Sequence, residues 1–181
     1  MKITVIPGSI GEDSYNKKLS LAAKKIAPKD IQINVHPLDD IPMFSKDLEK
    51  QGIPESVSDL KEDIKDADIL LISTPEYNNM IPGVLKNALE WLSRRDKNGN
   101  TVIQNKKVAI MGASTGKYGT VRSQNQLILL CNILKMNTKG SLMLPVSHVH
   151  TLFDDLGNLT DQDTRNRLEK FLNSIQDWHK N

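Results

Sequence analysis

The chain has 181 residues, 38% of them hydrophobic and 25% charged, enough for one globular domain with a sizeable core. Its 24 Lys and Arg against 22 Asp and Glu leave a formal net charge of +2 spread along the chain, so the basic stripe of a nucleic-acid binder is absent. No apolar run is long enough to cross a bilayer, and a lone cysteine, Cys131, excludes an internal disulfide and a cysteine metal cluster; a cytoplasmic setting is expected.

The N-terminal KITVIP, residues 2–7, is a short aliphatic run closed by Pro7 and Gly8, and reads as a buried strand rather than a secretory signal. Helical 3.6-type spacing follows from Tyr15 to Ala27. A second strand, IQINVH at 31–36, leads into the loop DDIPMFSKDLEKQGIP, and Pro54 to Asp66 reads as the next helix. DILLIST at 68–74 is a third strand, and Pro82 to Arg95 a third helix. Pro54 and Pro82 suit a first helical position, where a missing N–H costs nothing. After DKNGNTVIQN, whose Asn-Gly marks a tight turn, come the strand KVAIMGAS, a helix from Thr120 to Met136, the strand TKGSLMLPV and a last helix from Asp161 to His179. Five β–α alternations predict right-handed crossovers and a doubly wound, five-stranded parallel sheet with helices on both faces, built as one domain over 1–181. Ligands of such sheets sit outside the carboxyl ends of the strands, so the loops after the strands are the place to look.

Three of those loops stand out. In PGSIGEDSYN, residues 7–16, Gly8, Ser9 and Gly11 allow a tight turn, and a helix starting near Ser14 adds its partial positive end. Either a phosphate cradle or an ordinary turn capped by Ser14 follows. Neither the ATP-type P-loop nor the G-x-G-x-x-G dinucleotide pattern is present. After the third strand, TPEYNNMIPG is stiffened by Pro75 and Pro82 and offers the ring of Tyr77 with the amides of Asn78 and Asn79. After the fourth, Gly112, Gly116 and Gly119 bracket Ser114, Thr115, Lys117 and Tyr118, a backbone able to approach a ligand edge.

These motifs resemble the NAD(P)H-dependent FMN reductases, flavodoxin-like flavoenzymes that include quinone, azo-dye and chromate reductases. The family's G-S-x-R-x-x-S-x-N phosphate loop is matched by Gly8, Ser9, Ser14 and Asn16, with Gly11 in place of the arginine. T-P-E-Y-N and P-G-x-L-K-N are matched at Thr74 to Asn78 and Pro82 to Asn87, and G-A-S-x-G-x-x-G at Gly112 to Gly119. The resemblance implies that Ser9, Ser14 and Asn16 hold the FMN phosphate and that Pro75, Glu76, Tyr77 and Asn78 line the isoalloxazine ring. It also implies that Ser114, Thr115, Gly116 and Tyr118 meet the pyrimidine side or ribityl chain. It further implies hydride transfer from NAD(P)H through FMN to quinone, azo or flavin acceptors by a ping-pong cycle, in a homodimer or homotetramer, with no side chain acting as catalytic acid or base. Without the arginine, a charge-assisted phosphate contact of about 1.5–3 kcal/mol is lost and weaker FMN retention is expected.

Other chemistry is less well supported by the residues. His148 and His150 share a face of an extended segment, but a third metal ligand is missing. Asp39 and Asp40 read as capping or solvated carboxylates, while the resemblance implies that Met43 and Phe44 wall the substrate pocket. Arg94, Arg95 and Lys117 are candidates for a nucleotide 2′-phosphate. An electron-carrying flavodoxin-like protein without NAD(P)H activity is the alternative function, although such carriers dock through strongly acidic surfaces and this chain is slightly basic.

Overall fold

The computed structural model describes residues 1–181. Its five strands are β1 (Lys2–Pro7), β2 (Gln32–Val35), β3 (Ile69–Ser73), β4 (Lys107–Ala113) and β5 (Asn137–Val146). They are all parallel and lie in the order β2-β1-β3-β4-β5, the flavodoxin-like arrangement. The helices are α1 (Tyr15–Ile26), α2 (Lys46–Gln51), α3 (Glu55–Asp66), α4 (Gly83–Leu92), α5 (Val121–Ile133) and α6 (Gln162–Lys180).

Successive strand side chains point to opposite faces, so the near-continuous apolar runs feed two cores. Ile69 and Leu71 join Ala109, Met111 and the inner faces of α1 and α6 in one layer. Leu70 and Ile72 join Val108, Ile110 and residues of α3, α4 and α5 in the other. Trp91, which is fully buried, belongs to this second layer.

Several boundaries differ from the sequence expectation for local reasons. The loop after β2 contains α2, begun by Ser45, whose hydroxyl accepts from Leu48 N–H at 3.1 Å, and ended by Gly52 at φ 122°. Pro54 and Pro82 are N-caps rather than first helical residues; both have extended ψ values of 148°. Helix α4 stops at Leu92 and α5 at Ile133, the latter just ahead of Lys135 at φ 60°. Along β5 the register jumps: Val108 pairs with Thr138 but Ile110 with Met143, so the segment between bulges out of this edge strand.

From β1 the chain first adds β2 on one side, then crosses back to place β3, β4 and β5 on the other. The reversal opens a crevice at the carboxyl ends of β1 and β3. The ladder continues into the loops. Gly8 N–H donates to Ser73 O at 2.8 Å, Thr74 N–H to Met111 O at 2.8 Å and Ser114 N–H to Val146 O at 3.0 Å. Three loops therefore leave adjacent strands at one level.

Candidate functional site

These loops enclose a cavity of about 520 Å³. The loop after β1 contributes Ser9, Ser14 and Asn16, that after β3 contributes Pro75, Glu76 and Tyr77, and that after β4 contributes Ser114 and Thr115. Gly11 and Ala113, both within the quoted motifs, line it too, as do Ile10, Asp13 and Tyr15, whose sequence signal was only their position between the motif residues.

The first loop is rich in unused donors. The backbone N–H groups of Ser9 to Asp13, and those of Tyr15 and Asn16 in the first turn of α1, donate to no protein acceptor. The Ser9 and Ser14 hydroxyls hydrogen-bond each other, and Ser14 also accepts from Lys17 N–H at 3.1 Å as the α1 cap. Gly11 has φ 112°, a conformation that a side chain resists, so glycine here is what lets the turn form. No Lys or Arg lines the cavity, so an anion at this end meets neutral donors and a helix N-terminus, with the one lining carboxylate nearby, Asp13, paired to Lys18 at 3.4 Å.

Asn16 is placed differently from a free ligand donor. At 2% exposure, its Nδ2 donates to Ala113 O at 3.0 Å, while its Oδ1 accepts from Ala113 N–H at 3.0 Å and from Ser73 Oγ at 3.1 Å. The side chain braces the start of α1 against the ends of β3 and β4. Glu76 is likewise committed. Its Oε2 accepts from the N–H groups of Arg122 at 2.9 Å and Ser123 at 3.1 Å, and its Oε1 from Arg122 Nη1 at 3.1 Å. The N-cap of α5, Thr120 at φ 68°, makes no side-chain capping bond, so Glu76 supplies that cap from across the crevice.

Tyr77 and Met80 exchange backbone hydrogen bonds at 3.1 and 2.9 Å around Asn78 (φ 51°) and Asn79 (φ 62°). Two consecutive positive φ values are the requirement of a tight two-residue hairpin turn, which asparagine tolerates. This turn presents Tyr77 half exposed, while Asn78 itself stays out of the cavity lining. Gly116 and Tyr118 are also outside it: Gly116 O accepts from His148 N–H at 3.3 Å, and the Tyr118 ring lies against Lys117 and Arg122. At Gly112 a Cβ would run into Thr120 Oγ1 and the Thr74 carbonyl, so only glycine fits between these loops.

One positioning residue escaped the sequence reading. Asn87, at the end of P-G-x-L-K-N, accepts from Phe44 N–H at 2.7 Å and donates to Pro42 O at 2.9 Å; Trp91 Nε1 donates to the same carbonyl at 2.8 Å. Together they clamp the loop that leaves Met43 76% exposed. His148 and His150 are exposed with ring centroids 6.5 Å apart, and no group of three metal-ligating side chains forms. A larger cavity, about 660 Å³, opens at the opposite edge of the sheet, between the starts of the strands. There Lys106 donates to Ala67 O at 2.6 Å and Lys61 to Arg94 O at 3.3 Å. The lysines thus answer the carbonyls at helix ends. Burial lowers both pKa values, with the Arg94 charge lowering that of Lys61 further. None of the three loops reaches that cleft.

A family model described as NADPH-dependent FMN reductase matches residues 1–151. The chain belongs to the NADPH-dependent FMN reductase family. It is 38% identical to a 2-hydroxy-1,4-benzoquinone reductase of a Burkholderia species over 178 residues, covering 98% of this chain and 96% of the relative. It is 33% identical to an NAD(P)H-dependent FMN reductase of Pseudomonas aeruginosa, covering 98% and 95%. Among solved structures it resembles the flavoenzyme NAD(P)H:(acceptor) oxidoreductase FerB of Paracoccus denitrificans, with TM-score 0.84 and 28% identity over 99% of this chain and 97% of that one. The protein is an NAD(P)H-dependent FMN oxidoreductase, and its flavin is FMN. The residues present fit that group: a run of unpaired N–H donors and two hydroxyls at a helix N-terminus suit a phosphate monoester, and the neighbouring Tyr77 loop gives a flat ring an aromatic wall. No helix is long and apolar enough to cross a membrane.

Proposed function

We propose that this chain is a single FMN-binding domain, residues 1–181, that passes electrons from NAD(P)H to small quinone, azo or flavin acceptors by a ping-pong cycle, in the cytoplasm and as a homodimer or homotetramer. The observation that carries the reading is the convergence of three loops, from β1, β3 and β4, on one cavity whose phosphate end is built of unpaired donors. FMN held there would supply the redox chemistry that links nicotinamide to acceptor.

The chain's own residues bind, orient and polarise. Ser9, Ser14 and the N–H groups of their loop hold the phosphate; Asn16 keeps α1 at the height that aims them. Pro75 and Tyr77 wall the ring, and Glu76 fixes their loop to α5. The N–H of Thr115, unpaired on the cavity wall, and the unpaired N–H groups of Asn78 and Gly116 beside it would stabilise negative charge that a bound ring gains on reduction. Tyr118 stands at the rim. No side chain is assigned as a catalytic acid or base.

The relative named 2-hydroxy-1,4-benzoquinone reductase supports quinones as an acceptor class. Leu129 and Ile133, 63% and 67% exposed one turn apart on α5, support self-association. Initial rates measured while NADPH and a benzoquinone are varied together test the cycle. Parallel double-reciprocal lines are expected, and intersecting lines would replace the two-stage exchange with a ternary complex.

A further inference from the structure

NADH and NADPH differ by one phosphate, on the adenosine 2′ oxygen, and a protein separates them by offering that position either cations or a carboxylate that accepts from a hydroxyl. Beside the cavity, the loop that enters α5 and the first turn of that helix gather two cations on one ring. Arg122 Cζ lies 4.6 Å and Lys117 Nζ 4.9 Å from the centroid of Tyr118, itself 51% exposed. Both distances are within the range at which an aromatic face holds a cation.

Neither cation is used up. Lys117 takes part in no ion pair. Arg122, whose side chain is 47% exposed, spends a single guanidinium hydrogen bond, from Nη1 to Glu76. The carboxylate of the cluster is the reverse. Glu76 is 11% exposed and both its oxygens are taken by the N-terminus and guanidinium of α5, so it is not free to accept from a ribose hydroxyl. Glu76 also lines the cavity, which places Arg122 one hydrogen bond away from the site. Of the other two cations named in the sequence reading, Arg94 lies in the cleft at the opposite edge, and Arg95, exposed beside it, lines neither cavity.

We propose that Lys117, Tyr118 and Arg122 form the docking platform for the 2′-phosphate and adenine of the pyridine nucleotide, so that this reductase favours NADPH over NADH. The phosphate draws Lys117 and Arg122 toward itself, and the Tyr118 face they leave meets the adenine. This assignment rests on the NAD(P)H-dependent reading of the cavity.

Calorimetric titration of the FMN-loaded protein with 2′,5′-ADP and with 5′-AMP isolates the phosphate from the redox chemistry. The wild type is expected to bind 2′,5′-ADP about tenfold or more tightly than 5′-AMP, the scale of one or two charge-assisted hydrogen bonds. Lys117→Gln, which disturbs no contact of Glu76, should close most of that gap, and Arg122→Gln should close it as well. Equal affinity of the wild type for both probes, or a gap that survives Lys117→Gln, overturns the assignment. Anaerobic mixing separates the two levels. Flavin left oxidised by both NADPH and NADH would overturn the reductase reading together with this one, whereas equal bleaching by both, with equal binding of the probes, overturns the platform alone.

Discussion

Ser9 is 5% exposed, bonded to Ser14, and set in a loop whose backbone donors have no other partner. Removing its hydroxyl in Ser9→Ala should weaken FMN binding about tenfold in a fluorescence titration, because no cation in the cavity lining shares the phosphate. Undiminished affinity would mean that backbone N–H groups hold the phosphate alone. In the sequence the serines read equally as a phosphate cradle or as a turn capped by Ser14, and it was the resemblance that assigned them to the phosphate. Other residue roles were legible in neither. Asn16 reads as a donor until Ala113, far along the chain, is seen bonded to both ends of its amide. Asn78 and Asn79 read as ligand amides, but the constraint on them is a backbone one, positive φ in a two-residue turn. Glu76 reads as a ring neighbour, and only the folded chain brings the uncapped start of α5 to its carboxylate.

Helix α6 begins on Asp161, whose carboxylate pKa is held below the usual value by hydrogen bonds from the Thr164 hydroxyl and then its N–H, the latter at 2.8 Å. A depressed carboxylate contributes stability that is present above its unfolded pKa and lost as pH falls through the folded one. Asp161→Ala should therefore lower Tm at neutral pH, and the gap to wild type should narrow as pH drops through the carboxylate range. A gap of constant size in thermal melts across that range would assign the loss to something other than the ionised cap. Among the elements, long amphipathic helices and β-branched strands announced themselves by period. Helix α2 did not, because its six residues hold less than two turns; its cap Ser45 with Asp47 and Glu49 in the first turn was the available signal. The break in β5 was hidden for a different reason. Lys139 to Ser141 face solvent at the sheet edge, where no buried face enforces alternation.

Across the whole molecule, the sheet order converts chain topology into a site. The connections leaving β1 and β3 run to opposite faces of the sheet and leave a crevice between them, the ladder bonds of Gly8, Thr74 and Ser114 set three loops at its lip, and glycine at 112 lets two of them touch. The β–α alternation made a doubly wound sheet readable from periodicity, whereas nothing in the residue pattern alone orders β2 outside β1. That order became visible only in the folded chain. The central claim, that this crevice lets FMN take electrons from a nicotinamide and give them to an acceptor, is tested most directly by an anaerobic absorption spectrum of the FMN-loaded protein. Bleaching of the flavin bands on adding NADPH, followed by their return on adding a benzoquinone, is the predicted result. Flavin bands unchanged by both NADPH and NADH would contradict it.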